Sequence, residues 1–402
     1  MAANIVRKLF NLSLWNTSAA AINFVANILI ARILGIDVFG EFAYLSSIVA
    51  LFSLIFIVIP PNYAIIRYQD DEKFKFVFTS FFILINILLI IPVLIFQHLT
   101  LIPFWLFYIF VFSTSFQIYI DTCLQAENKL NHYYFLIFAQ ALIKFILLGI
   151  MLLPGWISDF EGLILIISLA QIVIAMYFII NRRAVFVESL KYFGQMFRTI
   201  RAEINTFYPY YFNISLKKLD SNIIILLFEP LVSKEVLGVY SLITKVFQFI
   251  TGLLRTAESL FLFKKNIQKY QDSFIKNAFF ISAILQFGMI LVGLIYMKST
   301  AGNYYIFYMV LLSFLMHPYV FFIKSRAFFL SLYKNFHINI SYALFLLPPS
   351  IWFIIYYVKD SNFGLNELIL VLFSSSLLQM LYLIIAEHRY KSSIGKKSDE
   401  QY

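Results

Sequence analysis

The chain has 402 residues, of which 61% are hydrophobic and only 13% charged, and its mean hydropathy is +0.84. A soluble domain carries about 25% charged residues, and no soluble core takes up this much apolar surface, so lipid must cover it. The net charge of +10 comes from basic residues scattered over short segments rather than gathered in one patch, which excludes a nucleic-acid-binding surface.

Apolar windows long enough to cross a bilayer fall near 12–34, 38–60, 75–97, 103–124, 132–153, 162–180, 205–228, 237–262, 276–297, 303–324, 339–358 and 365–386. The first runs past the length of a signal core without a small-residue cleavage site, so it reads as a span. The seventh is the weakest, because Lys217, Lys218 and Asp220 interrupt it. If the amino terminus is cytoplasmic, the outer connections hold only Arg32, Lys234, Lys298 and Lys359, and nearly all remaining loop Lys and Arg lie inside. The predicted fold class is an all-α integral membrane protein with about 12 transmembrane helices in two six-helix bundles, both termini cytoplasmic. The predicted organisation is a first bundle over 1–180, a basic cytoplasmic linker over 181–204, a second bundle over 205–388 and a cytoplasmic tail over 389–402.

A short internal match supports the two bundles. Val38-Phe-Gly-Glu-Phe and Val236-Leu-Gly-Val-Tyr open the second span of each half, placing Gly40 opposite Gly238. An even number of spans per half gives both halves the same orientation, related by a pseudo-two-fold axis along the membrane normal with a cavity between them.

Polar residues inside the spans mark candidate sites, because a charge at mid-membrane costs about 2.5–3.5 kcal/mol on insertion scales. In span one, Asn16, Asn23 and Asn27 share a stripe that either bonds neighbouring helices or lines a wet cavity. In span four, Asp121 continues a stripe from Ser113 and Gln117 near the inner end. Lys144 lies in the middle of span five with no acid within one turn. In span seven, Asn213, Lys217, Asp220 and Ser221 share a side, and Lys217 with Asp220 also suits a local ion pair. In span eight, Lys245, Gln248, Arg255 and Glu258 follow one polar face, with Glu258 the candidate titrating group for ion coupling. Cations outnumber acids in this set, which suits a phosphate-bearing ligand. The two proline sites, His317-Pro318 and Pro348-Pro349, predict bent helices.

Several chemistries lack their residues. No GxxxxGK[ST], HExxH, CxxC or GxSxG motif occurs, the single cysteine is Cys123, and the five histidines are dispersed, so neither nucleotide hydrolysis nor a metal or other cofactor is expected.

The run Ala31-Arg-Ile-Leu-Gly-Ile-Asp-Val-Phe-Gly40, closing span one and opening span two, resembles a signature of the polysaccharide-biosynthesis flippases. These are the Wzx-type lipid-linked oligosaccharide flippases of the multidrug/oligosaccharidyl-lipid/polysaccharide exporter superfamily. The motif residues here are Arg32, Leu34, Gly35, Phe39 and Gly40, and Asp220 followed by Gly238-Val-Tyr240 resembles the family's later pattern. One departure is that Lys217, Lys218 and Leu219 precede Asp220 where such proteins often have Arg. The resemblance implies movement of undecaprenyl-diphosphate-linked oligosaccharide across the bacterial inner membrane for O-antigen or another surface polysaccharide. It also implies a polysaccharide polymerase and a chain-length regulator as partners, and lipid around the polyprenyl tail. Three rivals remain: a drug or small-cation exporter of the same superfamily, which would want an acidic cavity; an O-antigen polymerase, which would want a long periplasmic loop; and a non-transporting membrane scaffold, which would not need charges in mid-span. The sugar composition of the cargo is not written in the sequence.

Overall fold

The structure is a computed structural model. It describes residues 2–56, 58–96, 102–157, 159–242, 244–245, 335–359 and 364–399. The described elements are helical throughout. They form two compact units, Met1–Lys218 and Leu219–Tyr402. Eight helices among them are long and apolar enough to cross a membrane.

In the first unit, α1 (Ala2–Ile33) and α2 (Ile36–Phe56) are joined through Leu34 and Gly35 alone. Gly35 has φ +102°, a left-handed conformation that glycine adopts without Cβ strain, and it stops α1 at this point. The run from Ala31 to Gly40 is therefore in part a helix-stop signal. Its Phe39 is fully buried at the start of α2.

The next helix, α3 (Pro61–Asp70), occupies what the hydropathy reads as a loop between spans. Pro61 starts it because a missing N–H costs nothing in a first turn. Span three is made of α4 (Phe74–Leu88) and α5 (Ile90–Phe96), with a break at Leu89. α6 (Phe104–Ala126) and α7 (Leu130–Leu152) follow, joined by a tight turn in which Asn128 takes φ 55°. Lys129 N–H closes that turn on the Leu124 carbonyl at 2.9 Å. α8 (Phe160–Asn181) is capped by Asp159, whose carboxylate accepts from Gly162 N–H at 2.8 Å.

The stretch expected as a linker is folded. α9 (Arg183–Ser189) and a 3-10 turn (Leu190–Tyr192) lead into α10 (Phe193–Phe228), a continuous helix of 36 residues.

Hydrocarbon supplies no hydrogen-bond partner, so several polar side chains in the spans bond back to their own helices. Ser47 donates to the Ala43 carbonyl, Thr79 to Lys75 and Thr122 to Ile118, at 2.7–3.0 Å. The core of the unit is aromatic. Phe82 stacks on Tyr119 with centroids 4.3 Å apart and meets Phe116 edge-on at 5.1 Å. Such pairs add about 0.5–1.5 kcal/mol each beyond burial. The Tyr119 hydroxyl is satisfied by Thr79 Oγ1 at 2.7 Å.

In the second unit, α11 (Asn335–Lys359) packs along α12 (Leu365–Asp399), where Leu383 is fully buried. α11 continues through Pro348 and Pro349 as one helix. The expected bend at His317-Pro318 lies outside the described residues.

Candidate functional site

The first unit brings two of the predicted residues together in mid-membrane. Lys144, near the middle of α7, donates a hydrogen bond to Asn23 Oδ1, near the middle of the α1 span. α1 and α7 pack along their length, and Trp15 locks them by meeting Phe135 edge-on at 5.5 Å and Phe138 at 5.0 Å. The sequence has no acid within a turn of Lys144. The structure adds a partner that the sequence does not show, a neutral amide on another helix. Asn27 is half-buried one turn further along α1.

A second lysine gains a partner in the structure. Helical periodicity puts Lys217 on the polar stripe of span seven and Lys218, also an interior cation, about 100° from it. Lys218 reaches a neighbouring helix, donating to the buried hydroxyl of Ser53 on α2. Asp121 accepts from Gln117 Nε2 at 2.7 Å on the same face of α6. Lys245 is half-buried, and Gly238 is buried in a helical stretch over 234–242. Gly40 is buried in α2, and Arg32 is exposed in the last turn of α1. Gln248, Arg255 and Glu258 lie outside the described residues, as do the side chains of Lys217 and Asp220.

One end of the first unit carries two ion clusters that the sequence showed only as loop charges. Glu127, in the turn after α6, accepts from Tyr68 at 2.6 Å and pairs with Lys129 at 2.8 Å and with Arg182. Arg182 also lies over the Phe178 ring at 4.5 Å. Burial alone would raise the Glu127 carboxyl, but the hydrogen bonds from Arg182, Lys129 and Tyr68 outweigh it and hold it near about 2. In the other cluster, Glu203 on α10 pairs with Arg67 and accepts from Tyr63, both on α3. Burial, and then the Glu203 carboxylate, push the Tyr63 phenol up to about 12. The clusters tie together the connections between spans two and three, four and five, and six and seven. No group of His, Cys, Asp and Glu among the described residues is arranged to hold a metal ion.

No family model matches the sequence. No curated protein matches it either. Solved structures do. The chain is similar to a ligand complex of the MATE multidrug transporter DinF-BH, with TM-score 0.62 and 12% identity over 96% of this chain and 95% of that one. It is also similar to an outward-facing multidrug resistance MATE family transporter of the MOP superfamily, with TM-score 0.58 and 13% identity over 96% of each chain. A third is MATE in complex with MaL6, at TM-score 0.55 and 12% identity, again over 96% of each chain. At this identity the likeness establishes the fold. The chain has the all-helical, membrane-spanning fold of these transporters, in keeping with the expected class of about twelve spans in two bundles.

Proposed function

We propose that the chain is a non-enzymatic membrane transporter of this superfamily, and that its cargo is a lipid-linked anion of the undecaprenyl-diphosphate oligosaccharide type. The observation that carries this reading is that two ammonium groups of one unit are bonded to side chains of membrane-spanning helices. Lys144 is oriented by the Asn23 amide and Lys218 by the Ser53 hydroxyl. An ionisable group kept inside a membrane domain is expensive, and its default explanation is contact with a substrate or ion path. Ammonium groups suit diphosphate oxygens, with about 1.5–3 kcal/mol available from each charge-assisted contact. The motif from Arg32 to Gly40 points to the same cargo. Oligosaccharide and diphosphate would sit in the polar interior, while the polyprenyl tail stays in lipid. The membrane is taken to be the bacterial inner membrane, with both termini in the cytoplasm. Without a nucleotide motif, the drive is an ion gradient or the gradient of the cargo itself.

A second reading has an observation of its own. Two of the solved structures sharing the fold are multidrug transporters, which supports export of drug-like compounds. Fold alone does not choose cargo. One paired experiment separates the two. The gene is expressed in a strain lacking its oligosaccharide flippase and, separately, in one lacking its drug exporters. Restored surface polysaccharide with unchanged drug tolerance is the expected result. Efflux of a lipophilic cationic dye with no restored polysaccharide would replace the flippase reading by the exporter.

A further inference from the structure

The folded connection over 183–208 forms a collar whose outer surface fits a particular partner. Its depth is fixed by contacts to membrane-spanning helices. Ser80, in the second turn of α4, donates its hydroxyl to the Ser189 carbonyl at 2.5 Å. Tyr192 stacks on Phe76 of α4 with centroids 5.0 Å apart and planes 19° apart. Phe186 stacks on Phe116 of α6 at 6.3 Å. Ser80 and Phe76 thus hold the collar against the first two turns of α4, where hydrocarbon gives way to headgroups, while Phe186 reaches deeper, to the middle of α6.

Its inner side is core, with Ser189, Met196 and Phe207 buried. Its outer side is not that of a water-facing loop. Val187, Leu190, Phe197, Ile204 and Tyr208 are 48–65% exposed. On α10, Phe197, Ile204 and Tyr208 fall on one stripe at 100° per residue, with Arg201 at its edge and Arg198 about a quarter turn away. Arg183, Lys191, Arg198 and Arg201 are all exposed. The acids of the segment are Glu188, which pairs with Lys191 at 3.0 Å, and Glu203, taken by Arg67.

We propose that this collar docks on anionic phospholipid of the leaflet facing the cytoplasm, on the orientation given above and independently of the cargo. The physical logic has two parts. Large apolar side chains interleaved with cations match the boundary layer, where an amphipathic helix sinks about 5–10 Å and long basic side chains reach back to phosphate. The excess of cations then selects anionic over zwitterionic headgroups, each Lys or Arg contributing through the negative surface potential of that leaflet.

The test uses the full-length protein in phosphatidylcholine nanodiscs, carrying a fluorescent thiol label at Leu190→Cys or, separately, Ile204→Cys. The native Cys123 is buried and stays unlabelled. Shallow spin-labelled phosphatidylglycerol and spin-labelled phosphatidylcholine are compared as quenchers at equal mole fraction, with iodide as the aqueous quencher. Both sites are expected to be shielded from iodide and quenched by lipid, about threefold more strongly by the anionic one. The variant combining Arg183→Gln, Lys191→Gln, Arg198→Gln and Arg201→Gln is expected to keep lipid quenching but lose the preference. Free access of iodide with no lipid quenching overturns the proposal and leaves the face to a protein partner. Equal quenching by the two lipids in the unaltered collar overturns it as well, by removing the anionic selectivity.

Discussion

Lys144 of α7 gives its hydrogen bond to Asn23 of α1, so the central cation of the first unit is oriented by a neutral amide. An amide acceptor carries no charge of its own, so this bond leaves the ammonium positive. Lys144→Ala is expected to lower transport at least tenfold, equivalent to about 1.4 kcal/mol, at normal protein level. Lys144→Arg retains more activity than alanine. Surface-polysaccharide complementation with a parallel immunoblot measures both, and full complementation by the alanine variant would remove the anionic-cargo reading.

Lys218 and Ser53 supply a second check on the same idea, by a different route. Ser53→Ala removes the hydroxyl that accepts from Lys218 but leaves the cation. It is expected to raise the apparent KM for cargo more than it lowers the maximal rate. Lys218→Met should lower both. A transport assay in proteoliposomes across cargo concentrations separates these patterns.

The Glu127 cluster predicts a pH response of folding. Its carboxyl is held near about 2 against an ordinary value of 4.5. A depressed acid contributes stability that is fully present above pH 4.5 and is lost as pH falls toward 2. Detergent-solubilised protein should therefore lose thermal stability in that window. Glu127→Gln should flatten the acid limb while lowering stability at neutral pH by about 1.5–3 kcal/mol, the usual worth of a charged hydrogen bond. An unchanged melting temperature at neutral pH would show that the cluster holds nothing together.

Topology is open to direct measurement. Thiols introduced near residues 100, 158, 232, 300 and 361 are expected to react from the periplasmic side only. A cytoplasmic reading near 232 would remove span seven and, with it, the predicted equivalence of Gly40 and Gly238.

Hydropathy made the eight described spans legible, because twenty apolar residues in a row have few alternatives to the bilayer. The placement of Asn23 and Lys144 at mid-span was readable in the same way. Their pairing was not, since they stand far apart in the chain and only the packing of α1 on α7 joins them. That Lys218 reaches Ser53 depends on how α10 is rotated about its axis, and packing sets that rotation rather than the local pattern. Glu127, Arg182, Arg67 and Glu203 counted only as loop charges in the sequence, because nothing local ties together partners on different connections. α3 had a signal, Pro60-Pro61 ahead of Tyr63, Ala64 and Tyr68, yet a helix of 10 residues is invisible to a search for spans. The collar was missed because its apolar residues are diluted by cations. That mixture lowers hydropathy while raising suitability for a headgroup layer.

Gly35 has a mechanical consequence. With only Leu34 and Gly35 between α1 and α2, the connection makes three Cα–Cα steps and reaches about 11 Å at full stretch. Packed helix axes lie about 8–10 Å apart, which leaves little slack for one helix to slide past the other by a turn, about 5.4 Å, along the membrane normal. A rise or fall of α1 is therefore passed to α2, and with it from the Asn23 helix to the Ser53 helix.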